Sequence, residues 1–246
     1  MNNLYNDLAK AYEAMYHTFI DYRKEYDFYS AILKKYGKQS VLEIGSGTGN
    51  LARHLVQNTF DYTGLDYSQA MVDLAKSKVP NGKFVQGDMR YFKSEKSVES
   101  IIIPSRTINH LLTGEDINTT FSCFHRNLQS GGILCFDFID AGEFMPLIWG
   151  GKKVMHGAVF ENTYYCRESI WTPILEHGMD FNWTSFYFKK EDEQLVSIGE
   201  DSTKVRTFTV QEMDIFLTVH HFNIKEVIAR ASYAFPTYVI VAERIN

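Results

Sequence analysis

A glycine-rich turn is the strongest chemical signal in the chain. Residues 45–49 read Gly-Ser-Gly-Thr-Gly, directly after a strand-like run at residues 41–44 and before a helical pattern that starts near Leu51. Glycine permits close ligand approach that a Cβ would block, and a helix N-terminus offers unpaired N–H groups. The turn therefore predicts a site for a polar ligand. Its GxGxG spacing, in place of the GxGxxG of dinucleotide-binding turns, favours a ligand without a pyrophosphate.

Two acidic residues follow the next two predicted strands. Asp66 lies 21 residues beyond Gly45, where a carboxylate can accept both hydroxyls of a ribose. Asp88 and Met89 follow the third strand and offer an acceptor and an apolar side chain, which suit the amino group and the face of an adenine. Asp66 could instead cap the following helix, although Ser68 is better placed for that. Asp88 could also be a simple turn residue, and this alternative stays open.

Together these motifs resemble the class I S-adenosylmethionine-dependent methyltransferases. Residues 41–49 match the first motif of that family, Asp66 the acidic end of the second strand, Gly87 and Asp88 the third motif, and residues 130–134 the turn into the fifth strand. The resemblance covers most of residues 39–139. It implies a Rossmann-like fold and S-adenosyl-L-methionine as the cofactor.

The resemblance also implies a set of cofactor-binding residues. By this resemblance, the glycines line the methionine moiety, the acid after the second strand holds the ribose, and the Asp-Met pair after the third strand holds the adenine. Tyr67 and Met71 flank the nucleoside, and Glu43 helps to orient the amino-acid end. The full set is Glu43, Gly45, Ser46, Gly47, Gly49, Asp66, Tyr67, Met71, Asp88, Met89 and Ser105, the last from a less regular fourth motif at residues 103–111.

Three residues are candidates for catalysis. Methyl transfer from a sulfonium is an in-line displacement, so a neutral amine acceptor needs no strong base, whereas an alcohol or a carbon acceptor needs one. His110 follows the fourth predicted strand, at the ligand-binding edge, and the alternative is a helix-terminal or structural histidine. Residues 8–16 are similar to the tyrosine-bearing helix of aminosugar and glycine N-methyltransferases. This similarity implies that Tyr12 and Tyr16 reach the cofactor, and ordinary helix packing fits them equally well.

The order of predicted elements specifies the fold. Short β-branched runs alternate with helical stretches up to Asp140, which predicts a parallel sheet covered by helices on both faces. Residues 144–208 show no good helix but alternate like antiparallel strands, and the α/β pattern then resumes with Thr209 as a helix N-cap. We expect one methyltransferase domain, 1–246, with a mostly parallel seven-stranded sheet. It carries an N-terminal helical cap, 1–36, and a β-rich insertion, 144–208, after the fifth strand.

The insertion is expected to form a lid over the acceptor site or to join two chains in a homodimer. It holds all three tryptophans, Trp149, Trp171 and Trp183. Such rings could wall a pocket for a small amine and stabilise a developing cation, or they could form only the core of the insertion itself. The sequence does not identify the acceptor beyond a small molecule.

Composition argues against other partners. The formal net charge is -5 with scattered lysines and arginines, so no nucleic-acid or anionic-membrane footprint is visible. No apolar run approaches the roughly 20 residues of a membrane span, and no secretory signal is recognisable, so a cytoplasmic protein is expected. The three cysteines show no CxxC spacing, and no metal site is expected. A non-catalytic S-adenosylmethionine-binding module and an NAD-dependent oxidoreductase remain as alternatives.

Overall fold

The computed structural model describes residues 15–16, 20–160, 162–176, 178–192, 194–231 and 235–246. Its helices are α1 (Tyr22–Lys35), α2 (Asn50–Gln57), α3 (Gln69–Lys78), α4 (Gly114–Asn127), α5 (Ala141–Ile148) and α6 (Val210–Val219). Its strands are β1 (Ser40–Ile44), β2 (Asp61–Asp66), β3 (Lys83–Gln86), β4 (Val98–Ile103), β5 (Leu128–Ile139), β6 (Lys152–Phe160), β7 (Thr163–Ile174), β8 (Asp180–Glu191), β9 (Gln194–Arg206), β10 (Phe222–Ala231) and β11 (Pro236–Arg244).

Seven strands form one sheet in the order β10-β11-β5-β4-β1-β2-β3. The strands from β5 to β3 in this order are parallel, and β11 runs antiparallel to both β5 and β10. The chain moves outward from β1 to β3 and then crosses to the other side of β1 to form β4. This reversal opens a crevice between the carboxyl ends of β1 and β4, where open α/β sheets bind ligands. The predicted Rossmann-like sheet is confirmed.

The sheet is buried on both faces by helices. Ile101 and Ile103 of β4 pack in one apolar cluster with Phe121 of α4, whereas Ile102 between them packs in a second cluster with Leu33 of α1. Successive side chains of a strand point to opposite faces, so a strand covered on both sides is apolar throughout. The two clusters fix the strand ends that carry the ligand-binding loops.

The insertion forms a second, antiparallel sheet in the order β6-β7-β8-β9. It is joined to the large sheet at a narrow neck, where the outgoing and returning segments are hydrogen-bonded side by side. The Ala141 N–H donates to the Phe208 carbonyl at 2.9 Å, and the Phe208 N–H donates to the Ile139 carbonyl at 3.1 Å. The neck brings the end of β5 and the start of the segment before α6 together.

Helix α5 corrects one expectation, because the sequence from residue 144 onward was expected to hold no helix. The side chain of Asp140 caps this helix by accepting the Glu143 N–H at 2.9 Å. Pro146 lies inside the helix, where proline normally breaks the hydrogen-bond ladder. Phe144 and Ile148 are fully buried against the insertion, and this packing outweighs the poor local propensity. In the described parts of the chain, every helix is too short or too polar to cross a bilayer.

Candidate active site

A cavity of about 940 Å³ lies at the carboxyl edge of the large sheet. The loops after β1, β2, β3 and β4 form its floor, and α1 and β9 each contribute to its wall. Its volume lies within the range of small-molecule and cofactor sites. Each of the predicted cofactor-binding residues except Gly49 lines it, as does His110.

The glycine-rich turn forms the part of the floor after β1. Gly45, Gly47 and Gly49 have φ values of +74°, +53° and +80°, in the left-handed region that favours glycine. A Cβ on Gly45 would lie 2.4 Å from the Thr107 hydroxyl oxygen, so this position has no room for a side chain. A Cβ on Gly47 would meet no protein atom within 4 Å, because the space in front of it belongs to the cavity.

Asp66 connects this turn to the loop after β2. One carboxylate oxygen accepts the Gly47 N–H at 2.8 Å, and the other accepts the Ser68 N–H at 2.9 Å. Burial raises the pKa of Asp66, and the two backbone N–H groups oppose that shift. Ser68 caps α3 by accepting the Met71 N–H, so the capping alternative for Asp66 is wrong. Tyr67 lies at the rim with 61% of its surface exposed, and Met71 is buried beside the floor.

Asp88 and Met89 line the cavity after β3, as the sequence indicates. The carboxylate of Asp88 is bound by the Arg90 guanidinium, with its closest contact at 2.6 Å between Oδ2 and Nη2. Arg90 also reaches Asp116 of α4, again at 2.6 Å. Arg90 and Asp116 both line the cavity, and neither was singled out from the sequence.

Glu43 is a buried carboxyl at the inner end of the cavity. It accepts a hydrogen bond from the Tyr62 hydroxyl at 2.7 Å. Burial raises the pKa of Glu43 to about 8; the hydrogen bond from Tyr62 opposes the shift and the charge of Asp66 adds to it. Glu43 is therefore largely protonated at neutral pH.

This raised pKa predicts how stability depends on pH. The ordinary pKa of Glu43 is 4.5, so between that value and about 8 the folded protein holds a proton that the unfolded chain releases. The free energy of unfolding then falls as pH rises through this window, by up to about 1.4 kcal/mol per pH unit from this group. Chemical denaturation between about pH 5 and 8 should show a shallower decline for Glu43→Gln than for the unmodified protein. Exposed Glu115→Gln is the control, and an unchanged slope in Glu43→Gln would contradict the assignment.

His110 ends a short 3₁₀ turn, Thr107–His110, that follows β4. Ser105 and Arg106 precede this turn with φ values of 61° and 62°, and the Arg106 N–H donates to the Asp137 carboxylate at 2.6 Å. Asn109 anchors the turn further by accepting the Ile139 N–H. His110 lines the cavity, to which much of its surface is exposed, and desolvation by the surrounding protein atoms lowers its pKa. A neutral imidazole at neutral pH follows.

The wall of the cavity comes from outside the methyltransferase-like motifs. Tyr22 and Glu25 of α1 and Thr203 of β9 line it, and sequence reasoning missed all three. Glu25 is held by a bidentate ion pair with Arg230 of β10 at 2.7 and 2.8 Å. The sequence predicts a helical cap over residues 1–36, but only the packed structure brings the first turn of α1 to the sheet edge.

Comparisons with known proteins agree with this geometry. Residues 41–132 match the model of a methyltransferase domain family. A putative methyltransferase of Geobacillus sp. is 26% identical over 207 residues, 80% of each chain. A Streptomyces venezuelae enzyme, dTDP-3-amino-3,4,6-trideoxy-alpha-D-glucopyranose N,N-dimethyltransferase, is 27% identical over 95 residues, 39% of this chain and 40% of its own. The solved structure of S-adenosylmethionine-bound CalS10, an amino pentose methyltransferase from Micromonospora echinaspora, superposes with a TM-score of 0.77 at 18% identity and covers 95% and 96% of the two chains.

The chain is an S-adenosylmethionine-dependent methyltransferase. The oxidoreductase and the non-catalytic module are thereby set aside. The cavity of this methyltransferase fits its cofactor on two structural grounds. The open space in front of Gly47 admits a ligand against bare backbone, and the carboxylate of Asp66 in the lining suits a cofactor that carries a sulfonium charge.

The tryptophans of the methyltransferase could either wall a pocket or form the core of the insertion, and the structure shows where they lie. Trp171 is 2% exposed and packs with Phe144, Phe181 and Phe235 in the insertion's own core, with Trp183 against it. Trp149 is 68% exposed on the surface. Among the described cavity-lining residues there is no tryptophan, so the structure favours the alternative in which the tryptophans belong to the insertion itself.

Tyr16 of the methyltransferase also lies away from the described cavity lining. It is buried against the insertion, where its hydroxyl accepts a hydrogen bond from the Arg167 guanidinium at 3.2 Å. The guanidinium carbon lies 5.4 Å from the centre of its ring. Tyr12 lies outside the described residues. The catalytic role of both tyrosines stays a prediction.

Proposed function

We propose that this methyltransferase methylates an amine nitrogen of a small polar metabolite. The observation that carries the proposal is the neutral His110 imidazole in the lining of a cavity to which Asp66 and the Asp88–Arg90–Asp116 group give a net negative charge. A cationic or neutral amine suits such a lining, whereas an anionic acceptor does not. The two similar enzymes named above, which act on amino sugars, support the same acceptor class.

The cofactor-binding set follows from the same geometry. We assign Gly45, Ser46 and Gly47 to the methionine end, together with Glu43 and Ser105 beside them. Asp66 is assigned to the ribose, for which each carboxylate oxygen keeps a lone pair beyond its backbone N–H. Tyr67 and Met71 are assigned to the flanks of the nucleoside, and Asp88 and Met89 to the adenine. Gly49 acts indirectly, since a Cβ there would lie 3.1 Å from Ala75 of α3 and would disturb the turn.

The protein's contribution to transfer is positioning and proton handling. Bound S-adenosylmethionine supplies a methyl group on a sulfonium sulfur, which an aligned nucleophile displaces in line. Tyr22, Glu25 and Thr203 close the wall around the acceptor and reduce access of water. His110 accepts a proton from the acceptor nitrogen on an unprotonated imidazole nitrogen, which leaves the lone pair of that nitrogen free to attack.

Removal of this proton acceptor is expected to slow transfer. His110→Gln should lower turnover of an amine acceptor about 100-fold, because general-base steps contribute that order of rate, with little change in affinity for S-adenosylhomocysteine. Product formation with a panel of amines, alcohols and carboxylates, followed by mass spectrometry, measures the acceptor class and the turnover. His125→Gln on α4 is the matched control, since that ring contacts Ile245 and Arg244. Full turnover in His110→Gln would remove His110 from the mechanism, and methylation confined to alcohols would overturn the amine assignment.

Other expectations from the sequence stay predictions. They include a homodimer formed through the insertion, the absence of nucleic-acid and membrane partners, and the limits of the helical cap at residues 1–36. The lid role of the insertion is supported at one point, Thr203, where β9 reaches the cavity wall.

A further inference from the structure

Asp88, Arg90 and Asp116 form a charged network at the end of the cavity that follows β3. Arg90 binds both oxygens of Asp88, with Nε at 3.0 and 3.1 Å and Nη2 at 2.6 Å from Oδ2. Its backbone N–H adds a fourth bond to Asp88 Oδ1 at 2.9 Å. The remaining guanidinium nitrogen, Nη1, donates to Asp116 Oδ1 at 2.6 Å. A planar guanidinium with fixed donors can hold a carboxylate in one orientation.

Asp116 is itself fixed by the start of α4. Its Oδ2 accepts the Thr113 hydroxyl at 2.9 Å, and Thr113 caps the helix by accepting the Asp116 N–H at 3.0 Å. Arg90 is therefore held from two sides, by the β3 loop and by a helix that packs on the sheet. The orientation of Asp88 is tied to a rigid element 26 residues along the chain from Arg90.

The network also keeps the Asp88 carboxylate charged. Burial alone would raise the pKa of Asp88, but the hydrogen bonds from Arg90 outweigh it and lower this pKa. The Arg90 hydrogen bond likewise lowers the pKa of Asp116. Two carboxylates and one guanidinium leave a net negative charge of one. An ionised carboxylate only accepts hydrogen bonds, and the three hydrogens that Arg90 directs at Asp88, on Nε, Nη2 and the backbone nitrogen, leave about one of its four lone-pair positions for a further donor.

A fixed acceptor distinguishes purines by the group at position 6. The exocyclic amine of adenine donates a hydrogen bond to a carboxylate, whereas a 6-oxo purine presents a second acceptor and is repelled. We propose that Arg90 and Asp116 are positioning residues that hold Asp88 as a fixed acceptor, and so make the cavity selective for a 6-amino purine. The inference rests on the assignment of Asp88 to the adenine made above.

Calorimetric titration with two ligands tests the network without any turnover. S-adenosylhomocysteine carries the 6-amino base, and S-inosylhomocysteine carries a 6-oxo base on the same frame. The unmodified protein should bind the first at least about tenfold more tightly, since a hydrogen bond to a charged group is exchanged for a repulsive contact. Arg90→Lys and Asp116→Asn should each reduce this ratio severalfold by weakening the adenine ligand alone. Lys83→Gln, which breaks the exposed Lys83–Glu95 pair on nearby β3, should leave the ratio unchanged.

The outcomes distinguish a failure of the positioning role of Arg90 and Asp116 from a failure of the assignment of Asp88 to the adenine. If Arg90→Lys and Asp116→Asn weaken both ligands equally, the network only stabilises the loop and the inference fails. If the unmodified protein binds both ligands equally, Asp88 does not distinguish a 6-amino from a 6-oxo purine. If it binds neither, the cofactor-binding set itself is wrong. Asp88→Asn adds an independent check, because its amide can donate to a 6-oxo group and should shift the preference towards S-inosylhomocysteine.

Discussion

Asp66→Asn is expected to weaken binding of S-adenosylhomocysteine by about 100-fold or more, because the two charged hydrogen bonds that we propose for the ribose are weakened and a buried N–H is left unpaired. The structural reason is that each carboxylate oxygen already accepts a backbone N–H, one from Gly47 and one from Ser68. In either orientation, the asparagine amide turns an NH₂ group towards one of these donors. The substitution therefore disturbs the glycine-rich turn and removes a ribose acceptor. Isothermal titration calorimetry measures the affinity directly.

Asp61→Asn is the matched control, because Asp61 is an exposed carboxylate at the other end of the same strand. It should retain the affinity of the unmodified protein. An affinity for S-adenosylhomocysteine within threefold of normal in Asp66→Asn would contradict both the ribose assignment and the role of Asp66 in shaping the turn. Circular dichroism of both variants checks that the fold is retained.

Gly45→Ala is expected to lower the free energy of unfolding by at least about 2 kcal/mol, since left-handed backbone costs about 1–2 kcal/mol with a Cβ and overpacking adds about 1–3. The added methyl would lie 2.4 Å from the Thr107 hydroxyl oxygen and 2.8 Å from its methyl carbon. Thr107 cannot turn aside freely because its hydroxyl donates to the Pro104 carbonyl. The clash forces the turn after β1 away from the 3₁₀ turn that carries His110, so cofactor binding should fall as well.

Gly37→Ala distinguishes the energetic cost of left-handed backbone from the cost of the steric clash with Thr107, by the same measurement. Gly37 has a similar φ of +65°, but a Cβ there meets nothing within 4 Å. Chemical denaturation should show a loss of about 1 kcal/mol in Gly37→Ala, with cofactor affinity retained. Equal losses of stability in the two variants would mean that the contact between Gly45 and Thr107 has no energetic weight.

Local sequence patterns were sufficient for the large sheet and the floor of the cavity. The strands, the glycine-rich turn and the cap at Ser68 each depend on residues close together in the chain, and the structure places them as expected. Asp66 could be predicted as a cavity residue because one helix and one strand fix its distance in sequence from Gly45. These features follow from hydrophobic period and backbone chemistry, which can be read from a short window.

Contacts between distant segments could not be predicted in this way. The Arg90–Asp116 bond spans 26 residues, and Glu25 meets Arg230 across 205. Helix α5 was missed because its proline opposes helix formation locally, while burial of Phe144 against Trp171 favours it only after folding. The sequence allowed the tryptophans to line the acceptor pocket or to form the core of the insertion. Only the packing of the second sheet shows that Trp171 lies in that core.

The neck between Ile139 and Phe208 bears on how the acceptor preference of such an enzyme can change during evolution. The two chain segments that lead into and out of the insertion are already hydrogen-bonded neighbours, so what lies between them can be lengthened, shortened or replaced without moving the large sheet. The floor that we assign to the cofactor belongs to the large sheet, and Thr203, on the wall, belongs to the insertion. Exchange of the segment between residues 140 and 208 is therefore a route by which acceptor preference can diverge while the methyl-donor site is inherited intact.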